Sequence, residues 1–144
     1  MTLPRSEGGP VQAEGVARSV DLDAPPAEVW DALTEAALLR EWLADEVELE
    51  VEPGGEIVCR YADGEERRGE VELVEEAERL AWTWWREGGE GPSRVELVLD
   101  AVADTRTRLT VIETAPLRAD GPLLVASWGR ALVRLRNSLR LVLA

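Results

Sequence analysis

Six tryptophans, one tyrosine and one cysteine stand in a chain of 144 residues that contains neither histidine nor phenylalanine. Their spacing limits the chemistry they can do. Trp82 and Trp84 share one phase of the alternating stretch from Leu80 to Trp85, and Cys59 and Tyr61 share one phase of the stretch from Glu56 to Tyr61. Trp128 stands with Leu132, Leu135 and Leu139 at steps of four and three. An indole offers a large apolar face and one N–H donor, and a phenol offers a hydroxyl; a mostly apolar pocket with a few polar anchors is built from such groups. The same side chains also make an ordinary core, and without phenylalanine tryptophan takes over bulk filling, so packing is the first role of each and ligand contact the second. Cys59 reads as a small buried hydrophobe before a nucleophile. Arg18 shares the phase of Val16 and Val20, and a guanidinium buried without a carboxylate is costly. It therefore reaches the sheet edge or, as the second choice, anchors an acidic group.

What is missing narrows the function classes further. With no histidine and one cysteine, disulfide frameworks, multi-cysteine zinc sites and histidine-based catalysis are excluded within one chain. The acidic residues cluster in runs such as Asp45 to Glu52 and Glu65 to Glu78, which read as solvent-facing strands and turns and not as a calcium loop. Neither a phosphate-cradling GxxxxGK[ST] nor a GxGxxG run occurs, so no metal or nucleotide cofactor is expected. A formal net charge of -13 disfavours nucleic acid, whose binding needs a basic face to release counterions. All basic residues are arginine, from which no function follows.

The elements that must position these residues can be read from periodicity. Val16, Val20 and Leu22 alternate with polar residues and predict a strand. Pro25 and Pro26 then open a helix, with Glu28 in its first turn where negative charge suits the dipole. Val29, Trp30 and Leu33 give that helix its apolar face, and Thr34 is placed to cap a second short helix facing inward through Leu38, Leu39 and Trp42. From Val47 onward strands and tight turns follow. Ile57, Cys59 and Tyr61 alternate before the Asp63–Gly64 hairpin signal, and Val71 and Leu73 continue the pattern. The Gly88 to Pro92 stretch closes another hairpin, Val95, Leu97 and Leu99 come next, and Leu109 and Val111 lie on a last strand to about Thr114. One antiparallel sheet with one covered face is the economical arrangement. Its cover is a long amphipathic helix over about 121 to 143, announced by Asp120, Gly121 and Pro122, with Leu124, Trp128, Leu132, Leu135, Leu139 and Val142 inward. Arg130, Arg134, Asn137 and Arg140 are expected on its outer face.

Residues 1–14 are polar, carry Pro4 and Pro10, and lack the apolar core of a signal peptide, so they are read as a disordered leader before a single domain over 15–144. No apolar run approaches the ~20 residues of a membrane helix, and a cytoplasmic location is expected.

The order strand, two short helices, about six further strands and a long terminal helix carries a resemblance. APPAEVWDALTEAALLREW at 24–42, PGGEI at 53–57, RLAWTW at 79–84, TRLTV at 107–111 and W-x-x-x-L-x-x-L at 128–135 resemble the START-like (SRPBCC) superfamily, most closely the branch named after the activator of heat-shock protein 90 ATPase. The chain departs from that pattern at Leu43, where a second aromatic is frequent, and at Ser127, where a glycine is. The resemblance implies an α+β helix-grip fold, a curved antiparallel sheet of six to seven strands around the C-terminal helix with a cavity between. In that fold the inward candidates are Trp84, Trp128, Tyr61, Trp82 and Cys59, with Arg18 on the first strand.

The resemblance and the residues together leave three functional classes. The first is binding of a small hydrophobic or amphipathic molecule in the internal cavity, with no catalysis. The alternatives are a chaperone-associated protein-interaction module, using the outer surface, and a polyketide-cyclase-like acid/base enzyme, which needs Tyr61, Arg18 or a carboxylate converging in the cavity.

Overall fold

The structure, a computed structural model, describes residues 13–86, 88, 91–116 and 121–143. Of the expected leader, residues 1–12 lie outside the described residues, and 13 and 14 already belong to the first strand, β1 (Ala13–Leu22). Two helices follow, α1 (Pro26–Thr34) and the single turn α2 (Ala36–Leu39). Six strands come next: β2 (Glu46–Leu49), β3 (Glu56–Arg60), β4 (Glu66–Glu75), β5 (Arg79–Arg86), β6 (Ser93–Ala103) and β7 (Arg106–Pro116). The chain then forms α3 (Gly121–Leu143). The strands make one seven-stranded antiparallel sheet in the order β1-β7-β6-β5-β4-β3-β2. This is the helix-grip architecture.

The alternating residues do what their spacing predicts. Leu80, Trp82 and Trp84 on β5, Val95, Leu97 and Leu99 on β6, and Leu109 and Val111 on β7 are buried, and they form one cluster with Trp128, Leu132, Leu135 and Leu139 of α3. Trp30 and Trp42 are core residues, and the Trp42 indole donates to the Ala32 carbonyl at 3.0 Å. The outer face of the sheet is held by cross-strand ion pairs such as Arg94–Glu72 at 2.9 Å, Arg79–Glu96 at 3.1 Å and Arg108–Asp21 at 2.8 Å. Exposed pairs of this kind contribute ~0–1 kcal/mol each, so their main effect is to favour one register.

Two local readings are corrected. Thr34 does not cap α2: its hydroxyl donates back to the Trp30 carbonyl at 2.8 Å, within the helix it ends, and the N-cap of α2 is Glu35 without a side-chain cap. Val71 and Leu73 do not share a face. A bulge between them inserts Glu72, which shifts the phase so that Val74 packs on the core instead. The Asp63–Gly64 signal does make the β3–β4 turn, with Gly64 at φ 93° and the Asp63 carboxylate accepting from the Glu65 amide at 2.8 Å. Residues 87, 89 and 90 of the β5–β6 hairpin and Asp120 before α3 lie outside the described residues, as do the side chains of Leu124, Arg140 and Val142.

Candidate functional site: a buried carboxylate between sheet and helix

Glu113 lies near the end of β7 on the same alternation phase as Leu109 and Val111, and that phase carries its side chain into the core, where it is 0% exposed. Burying a carboxylate is costly unless hydrogen bonds replace its hydration. Here three donors do so. The Trp84 indole on β5 donates to Oε2 at 3.0 Å, the Trp128 indole on α3 donates to Oε1 at 2.7 Å, and the Ser93 hydroxyl on β6 bonds Oε2. Indole nitrogens can only donate, so the carboxyl group is an acceptor at both oxygens and ties sheet to helix. The two indoles stack with centroids 6.3 Å apart and an interplanar angle of 22°.

Room for this arrangement depends on a missing side chain. Gly69 on β4 lies opposite Trp84, and a β-carbon there would come within 2.1 Å of the Thr83 carbonyl oxygen and 2.7 Å of Trp84 Cα. Only glycine lets the two strands approach so closely.

Beside Glu113 is a cavity of about 40 Å³. Its sheet wall is Tyr61, Arg67, Trp84 and Glu113, and its helix side is Trp128, Ala131 and Arg134, with Leu43 closing the end after α2. Arg67 enters it from β4, on the phase of Gly69 and Val71. Its guanidinium carbon lies 4.9 Å from the Trp84 ring centroid, and its Nε is buried without a hydrogen-bond partner among the described residues. Arg134 is exposed at the mouth and donates to the Trp42 carbonyl at 3.1 Å. Arg134 is exposed, as expected of the outer face of α3, but its guanidinium also reaches the backbone three residues beyond α2.

The surroundings set the chemistry of the weak acids. Burial pushes the Tyr61 phenol well above its ordinary range, with Cys59 adding and Arg67 opposing, so at neutral pH it is a neutral donor and acceptor. Burial likewise pushes the Cys59 thiol up to about 12 against the pull of Arg67, which makes it a poor nucleophile.

Of the six residues singled out from the sequence, Trp84, Trp128 and Tyr61 meet at this cavity. Trp82 does not line it; it stands behind Trp84 in an edge-on contact at 5.4 Å, its indole nitrogen buried without a partner. Cys59 is fully buried on β3, in register with Arg67 on β4 and Val47 on β2. Arg18 lies on the edge strand β1, exposed, with its guanidinium over Gly129 of α3 and outside the cavity lining. Glu113, Arg67, Leu43 and Ala131 were missed. The first two carried a usable signal, since Glu113 continues the phase of Leu109 and Val111, and Arg67 that of Gly69 and Val71.

Among the described residues no cluster of three or more Cys, Asp or Glu side chains is arranged to hold a metal ion, and no helix is long and apolar enough to cross a membrane.

A seven-stranded sheet gripping a terminal helix, with a polar cluster between them, defines a protein of the START-like class. The family described as Activator of Hsp90 ATPase homolog 1-like protein matches residues 23–140, and the chain belongs to it. Among solved structures it is similar to DynU16, described as a protein in the dynemicin biosynthetic locus, at 28% identity and a TM-score of 0.80. That match covers 88% of this chain and 47% of DynU16, so the chain spans about half the length of that relative. CalU16 from Micromonospora echinospora is 26% identical with a TM-score of 0.77, over 88% of this chain and 76% of that one. MLL2253 from Mesorhizobium loti shares the fold at 22% identity and a TM-score of 0.76, over 88% of this chain and 97% of its own. No curated protein sequence matches the chain.

Proposed function

We propose that this protein binds a small amphipathic molecule between the sheet and α3, with the polar end of the molecule in the cavity beside Glu113. The observation that supports this reading is the polar cluster itself. A helix that only had to cover a sheet would do so with apolar side chains, and a buried carboxylate is weak evidence for stability. Here a carboxylate, two indole N–H groups, a phenol and an unpartnered arginine nitrogen converge in one place. An acid/base enzyme needs a carboxylate free to take a proton within reach of substrate, and Glu113 already accepts from three donors, so binding is favoured over catalysis. The similarity to DynU16, described as a protein in a biosynthetic locus, is in keeping with a ligand-binding role for this chain.

The cavity of about 40 Å³ holds a few water molecules, whereas a drug-sized site needs ~300–1,000 Å³. Binding therefore requires the mouth to widen, and half-buried Tyr61 and exposed Arg134 are the side chains that can swing into solvent. The same small volume favours a second reading, a protein-interaction module like the activator for which the family is named, in which the interior is a filled core.

Titration with N-phenyl-1-naphthylamine, an uncharged apolar fluorophore, separates the two. Saturable binding is expected in the folded protein and should be lost in Ala131→Leu, whose larger side chain fills the cavity, once its fold is checked by circular dichroism. No binding to the wild type would put the interaction reading first.

A further inference from the structure

The arginines of the outer sheet face have carboxylate partners. Arg60 pairs with Glu48 at 3.0 Å, Arg68 with Glu66 at 2.6 Å, and Arg94 with Glu72 at 2.9 Å. Arg67, directly before Arg68 in sequence, has none among the described residues. It points to the other face of the sheet, half-buried, with its charge against the Trp84 ring at 4.9 Å and its Nε sealed from solvent without an acceptor. In a chain of net charge -13, with 29 acidic residues against 16 basic ones, an inward arginine left without a carboxylate is an unusual choice. Burying a cation unpaired costs stability, and a carboxylate with good geometry would offset part of that cost.

Glu113 lines the same cavity but is joined to Arg67 by no hydrogen bond or ion pair among the described residues; its oxygens accept instead from Trp84, Trp128 and Ser93. The free hydrogen-bonding capacity of the cavity is thus mostly donor. Arg67 offers a guanidinium, Arg134 offers the nitrogens not spent on the Trp42 carbonyl, and Tyr61 offers a hydroxyl that burial keeps protonated. A planar guanidinium fork suits a planar two-oxygen acceptor better than a single hydroxyl. The available volume of about 40 Å³ fits such a head group and not a whole ligand.

We infer that the cavity selects a monocarboxylate. The acid group is read by Arg67, with Arg134 at the mouth, and a short apolar tail lies along Leu43 and Ala131 toward solvent. This rests on the binding reading above and adds the ligand class and the residue that selects it. The role that the sequence offered to Arg18 falls to Arg67 instead, because Arg18 lies at the sheet edge over Gly129.

The test is a titration of tryptophan fluorescence with hexanoate and with hexanol, since Trp84 and Trp128 line the cavity. Hexanoate should bind saturably and hexanol about tenfold more weakly, the scale of one charge-assisted hydrogen bond. Arg67→Met should abolish the preference while keeping hexanol binding, and Arg18→Gln should leave both unchanged. Should Arg67→Met fail to fold, Arg134→Gln and the wild-type ratio decide, with a reduced preference expected in that variant. Equal binding of acid and alcohol by the wild type, or a preference that survives Arg67→Met, overturns the carboxylate assignment and leaves the binding reading standing. Binding of neither compound, together with no binding of the naphthylamine, overturns both.

Discussion

Gly69 and Trp84 face each other across the β4–β5 ladder so closely that a methyl group on Gly69 would come within 2.7 Å of the Trp84 backbone. The contact is with backbone and Cβ atoms, which cannot rotate away as the end of a long side chain could. Gly69→Ala is therefore expected to push β5 outward and lower stability by ~1–3 kcal/mol, the usual cost of overpacking. Urea unfolding measures it, and an unchanged midpoint would mean that the strands are not so close.

Glu113→Gln tests whether the carboxylate holds helix to sheet. An amide of the same shape must turn its NH2 toward at least one of the donors that Glu113 now serves, leaving a buried donor unsatisfied. A loss of ~1–3 kcal/mol is expected. A change in tryptophan emission should accompany it, because at least one indole loses its hydrogen-bond acceptor and both lose a neighbouring carboxylate. A stability equal to the wild type in thermal melts would contradict the hydrogen-bond assignment.

Acid should weaken the sheet through its outer face. Glu72 is held below its ordinary 4.5 by the hydrogen bond from Thr83, with Arg94 adding. Asp21 is held below its ordinary 3.8 by the hydrogen bond from Arg108. For carboxylates lowered in the folded state, the unfolded chain binds protons first, so their stabilisation is complete above the unfolded value and is lost as pH falls through the folded one. Denaturation midpoints measured from pH 6 downward should start to decline near 4.5, the unfolded value for Glu72. In Thr83→Val the part of this decline due to Glu72 should shrink. An identical acid profile for the two proteins would remove Glu72 from the account.

Cys59 should be silent toward thiol reagents in the folded protein. It is fully buried and its thiol is pushed up to about 12, so the thiolate is scarce and unreachable at pH 8. Reaction with a disulfide reagent should follow unfolding and accelerate in urea. The raised value also has an alkaline consequence: the unfolded thiol loses its proton near 9.0 while the folded one keeps it, so stability should fall as pH rises from about 9 toward 12. Cys59→Ala should flatten the first part of that fall. Rapid labelling without urea would place the thiol at the surface.

Local periodicity and turn chemistry were enough to place the elements, because each depends on neighbours within a few residues. The alternation of Leu80, Trp82 and Trp84, the Asp63–Gly64 turn, and the spacing from Trp128 to Leu139 state strand, hairpin and helix directly, and the burial of those residues follows. The candidate site is different. That Trp84 and Trp128 meet was legible once a sheet around a helix was assumed. What they meet over was not, since the Glu113 carboxylate lies 29 residues from Trp84 and 15 from Trp128 along the chain. The phases of Glu113 and Arg67 pointed inward, but a charged residue on an inward phase can equally end a strand or reach an edge, as Arg18 does. Pairing decides between these outcomes. Only the folded sheet sets β7 beside β6 and β5 beside β4, and thereby surrounds the Glu113 carboxylate with donors while leaving the Arg67 Nε without an acceptor among the described residues. The Glu72 bulge shows the same limit on a smaller scale, since one inserted residue reverses every later side chain on β4 and is a property of the pair of strands rather than of either alone.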